Sequence, residues 1–155
     1  MNIRIPTNKD VPAILEIYKE GWLATYPNEE SGISRADVEE KVRQFTHFNI
    51  NEDSFVAENG SRIIGVIKGV KGQSHTINSL YVTERNRGVG TELLKHIIKH
   101  FGQGTITLTV ASYNQGAIRF YKTNGFNITN RMIHSATTKL PSGVIIPEIE
   151  MVRVI

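Results

Sequence analysis

Apolar and polar residues alternate with a helical period in the first part of the chain. Hydrophobic positions recur every three or four residues, at Val11, Ile14, Leu15, Tyr18 and Trp22. This spacing predicts one face of a helix that begins near Asn8, because Thr7 and Asp10 have the spacing of a capping box. A short strand at Ile3–Ile5 is expected before this helix.

A second helix is predicted after the polar segment TYPNEESG. Ser34 is the expected N-cap, since Asp37 follows three residues later and Ile33 is placed to pack on Val38. The apolar face of this helix comprises Val38, Val42 and Phe45.

From Ser54 onward, segments rich in Val, Ile and Thr are separated by glycine-containing turns, which predicts an antiparallel meander. Its strands are expected at Ser54–Glu58, Arg62–Val70 and His75–Val82. The later elements are expected as a helix from Gly88 to Phe101, a strand at Thr105–Val110, a helix from Asn114 to Asn124, and strands at Phe126–Ser135 and Val144–Val154. The order β-α-α-β-β-β-α-β-α-β-β predicts an α/β (α+β) fold, with a mixed, mostly antiparallel sheet of six to seven strands and about four helices on its faces.

The composition fits one soluble domain that spans residues 1–155. Hydrophobic residues make up 39% of the chain and charged residues 21%, and no apolar run approaches the ~20 residues of a membrane span. The first ten residues lack the apolar core of a signal peptide, so we expect a cytoplasmic protein with no membrane partner. The absence of cysteine excludes disulfides, a thiolate nucleophile and cysteine-ligated metals.

Charge and metal-ligand patterns exclude further classes. The net charge of +3 is too small, and its basic residues too scattered, to indicate nucleic-acid binding. His96 and His100 have the spacing of half a zinc site, but Ile97 stands where a metalloprotease has glutamate and no third ligand accompanies them. We therefore expect no metal.

A glycine-rich turn joins the strand ending at Val82 to the third helix, and it holds Arg85, Arg87, Gly88 and Gly90. Such a turn leaves backbone N–H groups unpaired at a helix N-terminus, where the helix dipole also favours an anion. Arginines in a loop are commonly just solvated, but the glycine context favours a phosphate-binding interpretation.

Two common phosphate-binding loops do not fit this turn. A dinucleotide-binding fingerprint needs a third glycine where Leu93 stands, and an acidic residue ending the next strand where Val110 stands. A P-loop needs a Gly-Lys-Ser/Thr tripeptide, which does not follow here. The pattern that remains is R-x-x-G-x-G.

A second motif lies downstream and reads N-x-x-A-x-x-F-Y-x-x-x-G-F. Its residues are Asn114, Ala117, Phe120, Tyr121, Gly125 and Phe126. Together with R-x-x-G-x-G after a strand, it closely resembles the GNAT superfamily of acyl-CoA-dependent N-acyltransferases, and the resemblance covers nearly the whole chain.

The resemblance implies acetyl-CoA as co-substrate. The backbone of Leu80, Tyr81 and Val82 would bind the pantetheine arm as if it were another strand. The residues that would bind the pyrophosphate are Arg85, Arg87, Gly88, Val89, Gly90 and Thr91. Asn114 would also contact the cofactor, although asparagine at a helix start is equally a preferred N-cap.

The resemblance also implies the reaction. Tyr121 would be the general acid that protonates the departing thiolate, after direct attack of a neutral amine on the thioester. In isolation, a tyrosine on an apolar helical face is more often part of the core.

The general base is left open, because Ser74, Thr76 and Thr109 stand where many relatives have glutamate. His75 is one candidate, since an imidazole titrates near neutral pH. The alternatives are a water chain held by Asn78, Ser79 and Thr109, the carboxylate of Glu29 or Glu30, and loss of the proton to solvent. Trp22 and Tyr26 are candidates for lining the amine pocket, with Trp22 equally interpretable as core.

These observations predict an N-acetyltransferase that acts on a primary amine, either a small molecule or a peptide. A catalytically silent CoA-binding or sensing module is one alternative. An acetyltransferase that is active only within a complex is another. The final strand would allow two subunits to pair as a homodimer.

Overall fold

The computed structural model describes residues 1–85 and 87–155, which contain seven strands and four helices. The strands are β1 (Asn2–Arg4), β2 (Ser54–Asn59), β3 (Arg62–Val70), β4 (Ser74–Val82), β5 (Thr105–Ala111), β6 (Asn127–Ile133) and β7 (Glu148–Val154). The helices are α1 (Val11–Thr25), α2 (Arg35–Val42), α3 (Val89–Phe101) and α4 (Gln115–Thr123). The predicted fold class and element order are confirmed.

The strands form one sheet in the order β1-β2-β3-β4-β5-β7-β6. Each neighbouring pair is antiparallel except β4 and β5, which run parallel. The helix α3 connects these two parallel strands, as a crossover must. The middle of the sheet is therefore the place where its strand direction changes.

The parallel pairing of β4 and β5 is short. It joins Ser74–Thr76 to Thr105–Thr107, although β4 continues to Val82 and β5 to Ala111. A bulge at Asn78 interrupts the β3–β4 ladder at the same level, because Lys68 pairs with Ser79 and Gly69 with Ile77. The two strands diverge beyond this point, and their facing backbone groups border a gap in the sheet.

One face of the sheet is covered by α3 and α4. The apolar stripe of α3 faces the sheet, with Leu93, Leu94 and Ile97 fully buried. Burying each of these side chains contributes about 1.5–3 kcal/mol. The N-terminus of α3 is thereby fixed beside the gap.

The opposite face is covered by α1 and α2. Ile14, Ile17 and Trp22 are the buried residues of α1, so Ile17 belongs to the apolar face from which the helical pattern omitted it. Thr7 and Asp10 form the predicted capping box. Helix α2 ends at Val42, and Phe45 lies beyond it with its ring 5.1 Å from that of Trp22.

The last two strands are shorter than predicted. Residues 134–147 leave the sheet and bond to one another. The Ile146 N–H donates to the Thr138 carbonyl, the Thr138 hydroxyl donates to the Ile146 carbonyl, and Lys139 bridges to Ile145. Among the described residues, none of the helices is both long and apolar enough to cross a lipid bilayer.

Candidate active site

A cleft of about 840 Å³ occupies the gap between the diverging strands. Its walls come from α1, the free ends of β4 and β5, the N-terminus of α3, and α4. The predicted site residues that line it are Tyr26, Leu80, Tyr81, Val82, Arg85, Arg87, Gly88, Val89, Gly90, Thr91, Asn114 and Tyr121. Residues from distant parts of the sequence thus meet around one space.

The glycine loop forms one end of the cleft. Gly88 is the N-cap of α3 with φ of +77°, a conformation that glycine adopts without a steric penalty, and no side chain caps the helix. A Cβ atom at Gly90 would lie 3.6 Å from the Phe120 ring, which is ordinary contact. The fold therefore tolerates a side chain at Gly90, and its absence leaves the first-turn amides bare toward the cleft.

Asn114 begins the helix on the next wall. Its Oδ1 accepts a hydrogen bond of 3.1 Å from the Ala117 backbone N–H, so it is the N-cap of α4. The same residue lines the cleft. Its side-chain amide nitrogen is left to face another partner.

Tyr121 is held at the other end of α4 by a Schellman turn. The N–H of Phe126 donates to the Tyr121 carbonyl at 3.0 Å, the N–H of Gly125 donates to the Lys122 carbonyl at 3.1 Å, and Gly125 has φ of +87°. The ring of Phe126 packs 5.6 Å from that of Tyr121. The helix end and this contact fix the orientation of the Tyr121 ring.

The Tyr121 phenol is 8% exposed and lines the cleft. Burial raises its pKa well above the usual value, so the group stays protonated at neutral pH. Its hydroxyl makes no hydrogen bond to the described residues, and no fully buried polar side-chain atom in this part of the chain lacks a partner. The Tyr121 hydroxyl is therefore not completely enclosed by the described residues.

Two more tyrosines border the cleft. The hydroxyl groups of Tyr26 and Tyr81 lie side by side, and burial raises the pKa of both. The Tyr81 ring packs against Gly21, where a Cβ atom would come within 2.4 Å of it. Glycine in the middle of α1 is thus the residue that lets this ring lie flat on the helix.

Trp22 does not line the cleft. It is 8% exposed and is packed between α1 and α2 with Ile33, Val38 and Leu140. The structure therefore places Trp22 in the core, which is one of the two interpretations that the sequence left open. Tyr26, whose carbonyl accepts a 2.6 Å hydrogen bond from Tyr113, does line it.

His75 also lies outside the cleft lining. It is 3% exposed and stacks on Phe101, with its Nδ1 accepting from the Gly72 N–H at 3.2 Å and its Nε2 2.9 Å from the Gln103 carbonyl. Both ring nitrogens are engaged by the backbone at the paired end of β4. This geometry argues against His75 as the general base.

The other candidates for the general base differ in whether they line the cleft. Asn78, Ser79 and Thr109 line the cleft, although Ser79 is engaged by the Tyr18 hydroxyl. Glu29 and Glu30 lie exposed in a short helical turn outside the lining.

The sequence interpretation missed Glu148, the first residue of β7. This carboxylate is 6% exposed, and its Oε2 accepts a 3.0 Å hydrogen bond from the Thr109 hydroxyl. Burial raises its pKa, and the Thr109 hydrogen bond partly offsets that rise. The local sequence gave no signal for it, because strand alternation places Glu148 on one face of β7 with Glu150 and Val152, a mainly polar pattern.

The two histidines of α3 serve packing. His100 Nε2 lies 2.6 Å from Asp53, and the His96 ring packs 4.5 Å from that of Phe55. The described residues contain no cluster of three or more potential His, Asp or Glu metal ligands.

Comparison with known proteins identifies the architecture. The model of the acetyltransferase (GNAT) family matches residues 11–126, which include both the glycine loop and Tyr121. The chain belongs to the GNAT acetyltransferase family. No curated protein matches the sequence with significant similarity.

Solved structures share this GNAT fold over almost their whole length. The GCN5-related N-acetyltransferase from Rhodopseudomonas palustris has a TM-score of 0.74 at 17% identity, covering 99% of this chain and 95% of that one. The ribosomal-protein-S18-alanine N-acetyltransferase from Escherichia coli has a TM-score of 0.69 at 20% identity, covering 99% of this chain and 93% of that one. The PaiA N-acetyltransferase from Thermoplasma acidophilum was solved in complex with coenzyme A. It has a TM-score of 0.68 at 20% identity, covering 99% of this chain and 98% of that one.

Proposed function

We propose that this GNAT protein is an N-acetyltransferase that moves an acetyl group from acetyl-CoA to a primary amine. The observation that carries the proposal is the cleft between β4 and β5, which has bare helix amides at one end and the Tyr121 hydroxyl on its wall. Membership of the GNAT family and the coenzyme A complex of the Thermoplasma relative support it.

The donor fits the cleft in three parts. The free edge of β4 from Leu80 to Val82 offers backbone groups to the amides of pantetheine, as an added strand would use them. The α3 N-terminus between Gly88 and Thr91 offers amides and a favourable dipole to the pyrophosphate. Arg85, Arg87 and Arg119 line the cleft and add positive charge for the phosphates.

The chemistry joins the amine nitrogen to the acetyl carbon and breaks the carbon–sulfur bond. Tyr121 supplies the proton that the departing thiolate needs, because its buried phenol is protonated and its hydroxyl faces the cleft. The chain has no cysteine for a thioester intermediate, in keeping with direct transfer.

The acceptor in this proposal is a small-molecule or peptide amine. The Escherichia coli relative is named for an alanine of ribosomal protein S18, so an alanyl amine belongs in any acceptor panel. The cleft is also open beside α1, where Glu20 and Thr25 line it, and this opening is the route by which an acceptor enters.

A thioester-consumption assay with the purified protein tests this function. The acceptors are an unblocked alanyl peptide, an N-terminally blocked lysyl peptide, propylamine and spermidine, each with acetyl-CoA. The proposal expects amine-dependent release of free thiol and an acetylated product. Thermal protection by acetyl-CoA without turnover would instead favour a silent CoA-binding module, and turnover that appears after addition of cell extract would favour an enzyme active within a complex.

A further inference from the structure

A buried carboxylate lies behind the acceptor side of the cleft, next to residues that line the cleft but not among them. Glu148 on β7 pairs in register with Ala111 on β5, and Thr109 reaches it from the neighbouring cleft-lining position. Thr109 is exposed whereas Glu148 is buried, so the hydroxyl lies between the cleft and the carboxylate. One carboxylate oxygen is thus held by a cleft residue.

The second carboxylate oxygen is free for a ligand. Its sole hydrogen bond in the described part of the chain is the one from Thr109 to Oε2, and no fully buried polar side-chain atom there lacks a partner. Oε1 is therefore not completely enclosed by the described residues. A nearly buried carboxylate with one anchored and one accessible oxygen is arranged to receive a donor.

The two ends of the cleft differ in charge. Arg85, Arg87 and Arg119 line the phosphate end and outnumber Glu84, which lies 3.3 Å from Arg87, whereas the acidic residue Glu20 lines the α1 side. Glu148 adds a second carboxylate behind Thr109, close enough to influence the pKa of Tyr26. An anionic donor and a cationic acceptor would each meet opposite charge.

We propose that Glu148 binds the acceptor amine in its protonated, cationic form and takes the first proton from it. This inference rests on the proposed N-acetyltransferase function and names its missing base. Glu148 replaces His75, whose ring is closed off by backbone contacts.

The protons balance in this scheme. The ammonium gives one proton to Glu148, which passes it to solvent. The neutral nitrogen then forms the bond to the acetyl carbon, the carbon–sulfur bond breaks, and Tyr121 protonates the sulfur. The nitrogen's next proton restores the Tyr121 phenol, so one proton is released per acetyl group transferred.

The groups that face Glu148 allow this role. They are the Thr109 hydroxyl from β5, which donates to the carboxylate, and the Tyr26 phenol from α1, whose pKa the carboxylate influences. Burial keeps this phenol neutral, so neither group is a cation that already neutralises Glu148. Glu150 on the same strand is different, because Thr129 and Arg131 engage it.

The raised pKa of Glu148 suits the role of a general base. Burial brings the basicity of Glu148 nearer to neutral pH, where a general base is most effective. The acid limb of kcat/KM for the amine should then rise with pH as Glu148 ionises. Thr109→Val removes the hydrogen bond that favours the ionised form, so this limb should move to higher pH, and Thr109→Ser should restore it.

The decisive comparison is Glu148→Gln against Glu150→Gln, assayed with an acceptor that the wild type acetylates. Glutamine keeps the acceptor for Thr109 but cannot take a proton. We expect kcat/KM for the amine to fall by about 10²-fold in Glu148→Gln, with its pH dependence now following the free amine toward pH ~10. Glu150→Gln should retain wild-type kinetics, and acetyl-CoA protection should be unchanged in both.

The outcomes separate this inference from the function on which it rests. Loss of the acid limb and of activity in Glu148→Gln, with a folded protein, supports the inference. An active wild type whose Glu148→Gln variant keeps its rate and acid limb overturns it and leaves the acetyltransferase standing. A wild type that acetylates no amine overturns the proposed function itself.

Folding is checked by thermal unfolding, where Glu148→Gln should be at least as stable as wild type at neutral pH, because it removes the cost of burying an ionised group.

Discussion

The two sides of the cleft are built in opposite ways. In the proposed function the donor side is mainly backbone, from the free edge of β4 at residues 80–82 and the α3 N-terminus at residues 87–91, with arginine side chains beside it. The acceptor side would be made of side chains, namely Tyr26 and Thr109, which line the cleft, and Glu148 behind Thr109. Binding a ligand through backbone groups requires glycines and a particular turn in the sequence. Binding it through side chains from separate strands and helices requires no such local sequence pattern.

On this proposal the backbone groups would bind the donor and the side chains would select the acceptor. Substitutions on one side should therefore affect one substrate and spare the other.

The largest expected effect is on the donor side, in Gly90→Glu. A carboxylate beside the first-turn amides of α3 would repel the pyrophosphate, so the acetyl-CoA concentration needed for thermal protection should rise by about 100-fold or more. Gly90→Ala is the matched control, because a Cβ atom there meets Phe120 at an ordinary 3.6 Å. Full protection of Gly90→Glu would refute the proposed pyrophosphate site.

Gly125→Ala should loosen the helix end that orients Tyr121. Its φ of +87° is unfavourable for alanine, and the new Cβ would lie 3.2 Å from Arg153, so the free energy of unfolding should fall by about 1–2 kcal/mol. Gly116→Ala in the first turn of the same helix has an open position and should be neutral or stabilising. Urea unfolding of the two variants measures both changes, and equal stability would count against the strained turn.

Gly21→Ala should disturb the acceptor side alone. The added methyl group would come within 2.4 Å of the Tyr81 ring, which must turn away from α1 and into the cleft. We expect KM for the amine to rise by about 10-fold, roughly 1.4 kcal/mol, with acetyl-CoA protection unchanged. If the acetyl-CoA affinity falls by the same factor, the separation of the two sides is wrong.

The smallest effect should come from Asp10→Asn, which lies outside the cleft. The hydrogen bonds from Arg4, at 2.7 and 3.0 Å, hold the pKa of Asp10 below its usual value. A depressed carboxyl pKa stabilises the fold above the usual pKa of aspartate, near 4, and this stabilisation is lost as the pH falls further. The variant should lose about 1 kcal/mol at pH 7 and show a flatter acid dependence in urea unfolding, with turnover unaffected.

The same contrast explains what could be predicted from the sequence. The glycine loop, the Asn114 cap and Tyr121 lie in contiguous motifs, and all three line the cleft as expected. The fold followed from helical and strand periodicity, with errors at strand ends where residues 134–147 bond to one another instead of to the sheet.

The acceptor side could not be predicted in the same way. Thr109 and Glu148 are 39 positions apart, and their contact exists because β7 inserts between β5 and β6. The pattern of apolar and polar residues does not reveal which strands are neighbours in the sheet. In the sequence, a glutamate at the start of the last strand therefore looks like an ordinary solvent-exposed residue. His75 appeared suitable by chemistry alone, until the packing of its ring against Phe101 excluded it from the cleft.

The most direct test of the central claim is the turnover of Tyr121→Phe, measured with saturating acetyl-CoA and an amine that the wild type acetylates. Phenylalanine keeps the ring that packs on Phe126 and removes the hydroxyl that faces the cleft. We predict that kcat falls by about 10²-fold or more while acetyl-CoA protection and stability remain close to wild type. A kcat equal to that of the wild type would contradict the assignment of Tyr121 as the proton donor.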